Sequence, residues 1–141
     1  MYIQGILFHL GDIMFTLFHS LLILFNLFGW IKRKWRKWHM LSIFLTISSW
    51  LVLGIWFGIG YCPLTDWHYQ LLRKIGYNDL PPSYISFIVY RLTGLKINEL
   101  WTDWVTGISA GLAFMISLWL NFRIQSRIMR QNTYLSQKEN K

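Results

Sequence analysis

The sequence predicts an all-α membrane protein: three transmembrane helices, with two short amphipathic helices between the second and the third. Three observations carry this. Three apolar stretches each approach the roughly 20 residues a helix needs to cross a hydrocarbon core of about 30 Å. Hydrophobic residues make up 54% of the 141 and charged residues only 14%, against roughly 25% charged in soluble domains. The cations collect at the ends of the apolar stretches, where lipid headgroups would meet them.

The first span is expected over about 11–31, with the apolar residues 2–10 extending it outward or lying at the interface. No Lys or Arg precedes this run and no clear small-residue cleavage site follows it. It therefore reads as a retained helix rather than a removed signal. Lys32, Arg33, Lys34, Arg36 and Lys37, with Trp35 and Trp38 among them, stop it and suit contact with headgroups.

The second span, about 39–60, contains no Asp, Glu, Lys or Arg. Ser42, Thr46, Ser48 and Ser49 can return hydrogen bonds to helix carbonyls. Gly54 and Gly58 have the GxxxG spacing of a helix-packing site. Residues 61–99 differ. Pro63 breaks the helix, and Thr65 or Asp66 can cap a short helix over about 66–75. Trp67, Leu71, Leu72 and Ile75 would form its apolar face. Gly76 ends it, and a turn follows at 77–82. Ser83 opens a second short helix, about 84–93, that Gly94 stops. Neither is long enough to span, so this region is expected to cap the bundle as surface-lying or dipping helices. The third span, about 100–122, carries Gly107, Ala110, Gly111 and Ala113, small residues suited to a helix contact. Residues 1–130 thus form one transmembrane domain, and 131–141 a polar tail expected to fray.

Charge sets orientation. The net charge is +8. The first loop and the stretch after the third span carry most of the cations, so the positive-inside rule places both in the cytoplasm. The N-terminus and the 61–99 cap then lie outside. The same placement explains the basic balance by lipid rather than nucleic acid, which is not expected as a partner.

Two constellations are candidates for a site. Asp12, His19 and Asn26 are spaced by seven and fall on one face of the first helix, drifting about 20° per step. Polar groups inside a membrane face protein or water. This stripe is either an interhelical hydrogen-bond seam or a path or pocket for a proton, ion or ligand. His9, Cys62, Asp66 and His68 are all expected near the outer face, and such side chains bind Zn or Cu, although their spacing matches no established ligand set. A nucleophile and base can also be drawn from Cys62 with Asp66 and His68. His19 and His39 as paired haem ligands would lie about 18 Å apart along the helix axes. The single cysteine forms no internal disulfide. No cofactor is expected, haem or a metal being the alternative, and no residue is assigned a catalytic role.

The element Cys62-Pro63-Leu64-Thr65, with His19, His39 and the Leu71-Leu72-Arg73-Lys74-Ile75-Gly76 stretch, resembles small bacterial membrane proteins grouped as domain-of-unknown-function family 2784. The resemblance covers about residues 12–122. The runs 61–68, 80–85 and 92–94 are similar to the Bacteroidetes-type variant. The chain departs from many relatives at His68, where they carry Glu, and at Tyr90, where they carry His. The resemblance implies a bacterial inner-membrane protein and no particular activity.

The sequence thus suggests an accessory or structural subunit of a larger cell-envelope complex, with lipid and other membrane subunits as its partners. The alternative is a redox, metal- or haem-binding or transport-related protein with its site between the first span and the 61–99 cap. Whether it is an enzyme stays open, with the balance against it.

Overall fold

A computed structural model of the chain is all-helical among its described residues, 2–139. Three helical segments, Ile3–Phe28, Arg33–Phe57 and Glu99–Arg123, are long and apolar enough to cross a membrane. Their outward faces are apolar, with Leu17, Phe18 and Leu21, then Leu41, Phe44 and Leu45, then Ile108, Leu112 and Met115 all exposed. Large hydrophobic side chains outside and polar ones inside invert the arrangement of a water-soluble domain. The protein is a multi-pass membrane protein.

Helix α1 (Tyr2–Phe28) is unbroken, so residues 2–10 extend the span. It ends three residues before the expected Ile31. Gly29 donates its N–H to Phe25 O at 2.7 Å, and a Cβ at Gly29 would lie 2.9 Å from the His39 ring. The Trp30 indole donates to Leu27 O at 2.8 Å, and Arg36 Nε to Trp30 O at 3.0 Å. These bonds satisfy carbonyls that the helix end exposes. A short 3₁₀ turn, Arg33–Trp35, leads into the second span.

That span is a rod of three parts: α2 (Arg36–Ser48), a π-helical turn (Ser49–Leu53) and α3 (Gly54–Phe57). It stops at Phe57 because Gly58 adopts φ 101°, a backbone conformation open to glycine and costly for other residues. A Cβ at Gly54 would meet Ile59 Cα at 3.1 Å, whereas Gly58 has open space around it. The Gly54/Gly58 pair therefore turns the chain back on its own helix rather than receiving another one. The strap 58–62 is tied down by Ser49 Oγ, which donates to Tyr61 O at 3.4 Å.

Helix α4 (Pro63–Lys74) begins earlier than expected, with Cys62 extended at its N-cap and Pro63 in the first turn, where its missing N–H costs nothing. Its buried face is His68, Tyr69 and Leu72; Trp67 is exposed, and Leu71 and Ile75 are half-buried. Gly76 and Gly94, both at positive φ, end α4 and α5 (Tyr84–Thr93). Tyr69, Leu72, Tyr84 and Phe87 form a small core against which Ile23 of α1 packs. Leu71 meanwhile fills the space that Gly11 leaves open. The cap thus lies along α1 from Gly11 to Ile23, about 18 Å of helix, and does not rest on the ends of the bundle.

Helix α6 (Glu99–Glu139) packs chiefly on α2. Its buried line is Thr102, Ala110, Ala113 and Ser117. Of the expected small-residue contact the alanines take part, while Gly107 and Gly111 face open space. The helix continues without a break through the polar tail to Glu139; residues 140 and 141 lie outside the described ones.

Candidate functional site: a capped cavity beside the α1 polar stripe

Asp12, His19 and Asn26 are all buried on one face of α1, and each has its own set of partners. Successive members are about 10 Å apart along the axis by helix rise. The stripe therefore makes three separate polar levels.

At the outer level, Asp12 accepts both terminal nitrogens of Arg91 from α5, at 2.7 and 2.8 Å. His68 Nε2 lies 2.9 Å from Asp12 Oδ1. A carboxylate can only accept, so Nε2 carries the proton of this bond. Thr16 Oγ1 adds a weaker donation at 3.3 Å. The His68 ring is fully buried, stacked on Phe15 at 5.4 Å and edge-on to Phe87. The Asp12 carboxylate also raises the pKa of Arg91 above its ordinary range. The level is a clasp that fastens both cap helices to α1.

At the inner level every donor has an acceptor. His39 Nε2 donates to Asn26 O at 2.8 Å, which leaves Nδ1 to accept from Ser117 Oγ at 3.0 Å. Asn26 Nδ2 donates to Thr46 Oγ1 at 2.9 Å, and Ser42 Oγ donates to Asn26 Oδ1 at 2.7 Å. This knot joins α1, α2 and α6. It also engages both ring nitrogens of His39.

The middle level is different. His19 is 5% exposed. Tyr84 stacks on its ring at 3.8 Å and donates its hydroxyl to Thr16 O. Among the described residues His19 Nε2 has only Cys62 Sγ, at 3.8 Å, and Nδ1 has no partner. A buried polar atom without a partner costs free energy and calls for an explanation. His19 is also part of the wall of a cavity of about 940 Å³, between α1, α2, the π turn, the 58–62 strap, α4, α5 and α6. His68 Nδ1 is unpartnered too, but His68 is not on that wall.

Ser49 and Trp50 of the π turn and Tyr61 and Cys62 of the strap line the cavity. A π turn inserts a residue and re-aims the side chains after it, and such turns recur at functional sites. Asp66 reaches the wall from α4 with its Oδ2 accepting from Tyr61 and Gln70 at 3.1 and 3.0 Å. Burial pushes the Tyr69 and Tyr84 phenols above the ordinary tyrosine range, so both remain donors.

The outer cluster expected from sequence does not assemble. His9 is exposed, His68 is turned to Asp12, and Cys62 lies against His19. Only Cys62 and Asp66 share the cavity wall. Among the described residues no three His, Cys, Asp or Glu side chains gather in metal-binding geometry. His68 is not a base for Cys62. Tyr90 is exposed beside Lys96 and is not a partner of His68. Lys32, Arg33, Lys34 and Lys37 are exposed, while Arg36 caps Trp30. Sequence reasoning did not single out Arg91 or Tyr84. The available signal was the need of a buried Asp12 for a counter-charge.

Comparison with known proteins gives one family. A family model described as a protein of unknown function, DUF2784, matches residues 9–123. No curated protein and no solved structure matches the chain.

Proposed function

The chain belongs to the DUF2784 family, a family of unknown function, and from that premise we propose that it is a non-catalytic membrane protein that binds a small amphipathic molecule beneath its cap. The observation that carries this is the unpartnered, buried His19 Nδ1 on the wall of a 940 Å³ cavity. That volume is in the range of small-molecule sites, which combine apolar walls with a few placed polar groups. The Asp12 carboxylate and the His39 ring have their partners within the protein, and of the two unpartnered histidine nitrogens only that of His19 belongs to a residue on the cavity wall. Detergent-purified protein should release a bound small molecule, read by mass spectrometry of the extract. Thr106→Trp, which fills the cavity from α6, should abolish it. An empty wild type, or the same molecule on both proteins, contradicts the reading.

The cell context of this reading is a bacterial inner membrane with the C-terminus in the cytoplasm. Five cations at the α1–α2 turn and Arg123 at the inner end of the third span support it.

A second reading, an accessory subunit of a larger envelope complex, is favoured by Gly111. This α6 residue lies off the cavity wall and a Cβ there would have no heavy atom within 4 Å, so a partner helix can approach closely. Stoichiometric co-purification in mild detergent that is lost in Gly111→Leu supports it; a solitary protein contradicts it.

A further inference from the structure

We infer that the capped cavity recognises a lipophilic organic cation, an inference that rests on the ligand-binding reading above and names the class of ligand. The chain carries 14 Lys and Arg against 6 Asp and Glu, yet two of its carboxylates, Asp66 and Asp103, reach the cavity wall without a cationic partner. Asp66 accepts only from Tyr61 and Gln70. Asp103, on the first turns of α6, has no hydrogen bond or ion pair among the described residues. Arg73, the one Lys or Arg on the described wall, sits exposed on the last turn of α4, and Asp103 is exposed as well.

Five aromatic rings stand among the aliphatic and small polar side chains of the wall. Trp50, Phe57, Tyr61, Tyr69 and Tyr84 all contribute, with Phe57 and Tyr61 stacked at 4.6 Å. Ring faces attract cations through their quadrupole, most strongly where water is excluded. Elsewhere the protein places its own cations over rings: Lys32 over Trp35, Lys74 over Phe8, Arg91 over Phe87, Lys96 over Tyr90 and Arg123 over Trp119. None of those five rings is on the cavity wall, and among the described residues no such contact is made to the five that are.

A small hard cation is a poor fit. It would require six or more oxygen ligands, and the wall supplies rings and two separated carboxylates. An anion would meet those carboxylates. A bulky cation with diffuse charge meets both features at once, and His19 adds a buried polar contact on the α1 side.

The test uses three probes of related size and apolar surface that differ in charge: tetraphenylphosphonium, neutral triphenylphosphine oxide and tetraphenylborate. Each is titrated calorimetrically into the purified full-length protein in a non-ionic detergent, with empty micelles as the reference. Saturable binding of the phosphonium, at least tenfold tighter than the neutral probe and weakened about tenfold by Asp103→Asn and by Asp66→Asn, is the expected result. Circular dichroism of both variants checks that they stay folded. Equal or tighter binding of the neutral or anionic probe overturns the cation inference and leaves the cavity reading standing. Binding of no probe, together with an empty extract from the wild type, overturns both.

Discussion

Asp12 on α1 and Arg91 on α5, 79 positions apart, meet in a two-pronged ion pair with oxygen–nitrogen distances of 2.7 and 2.8 Å. This pair fixes where the cap sits. Its geometry uses both carboxylate oxygens and both terminal guanidinium nitrogens, the arrangement in which an arginine pair is strongest. His68 adds a third bond from α4, so one carboxylate fastens two helices.

Arg91→Ala should therefore leave Asp12 buried with His68 as its remaining strong partner. A fully buried pair broken on one side costs about 3–5 kcal/mol, but the Arg91 side chain is 38% exposed, which lowers the expected cost to about 2 kcal/mol. Thermal unfolding in detergent should show the loss, and protease cleavage within 76–83 should accelerate. The double variant Asp12→Leu/Arg91→Leu should recover part of the stability. A double variant as unstable as the sum of the singles would refute the clasp.

The inner knot makes a different prediction. His39→Ala removes the acceptor of Ser117 and the donor to Asn26 O, with an expected loss of about 2–3 kcal/mol. Asn26→Ala and Ser42→Ala should each cost less, since each leaves the His39 bonds intact. Equal losses for the three variants would mean that the knot is not organised around His39.

Two glycines, one at the end of the second span and one within α6, should behave in opposite ways. Gly58→Ala forces an L side chain into φ 101° and should destabilise by about 1–2 kcal/mol. Gly111→Ala, with open space around it, should stabilise the isolated protein by up to about 1 kcal/mol. The reverse order would overturn the assignment of Gly58 as the end of the second span.

The cap should be stable in mild base and fail in strong base. Burial raises the Tyr69 and Tyr84 phenols, so the folded form favours the protonated state. That contribution is complete below the ordinary tyrosine value near 10 and is lost as pH rises through the raised values. Tyrosinate absorbance should develop in two stages, exposed phenols first and these two with loss of the fold. A single transition near the ordinary value would show that neither phenol is buried.

Much of this was legible in the sequence, and the remainder has identifiable physical causes. The three spans follow from length and polarity, and the stripe follows from the heptad spacing of Asp12, His19 and Asn26. Gly76 and Gly94 marked the ends of the cap helices correctly. The partners of the stripe were hidden because they are tertiary. Nothing local to Arg91 distinguishes a clasp residue from a topology signal, and His68 looked like a metal ligand until α4 was docked with its buried face on α1. The start of α4 was misplaced because Pro63 reads as a breaker while also suiting the first turn of a helix. The π turn left no mark that polar and aromatic composition could reveal. The GxxxG spacing pointed to Gly54/Gly58, whereas the same spacing at Gly107/Gly111 is the one left open.

The central claim is that the cap closes a cavity over His19, and Cys62 offers a direct probe because it is the only cysteine in the chain. It lies on the cavity wall, half-buried, 3.8 Å from His19 Nε2. The rate at which a small maleimide labels Cys62 in the otherwise native protein should be measured for wild type, Thr106→Trp and Arg91→Ala. The account predicts slow labelling in wild type, at least tenfold slower when the cavity is filled, and at least tenfold faster when the clasp is cut. Fast labelling that is indifferent to both substitutions would contradict it.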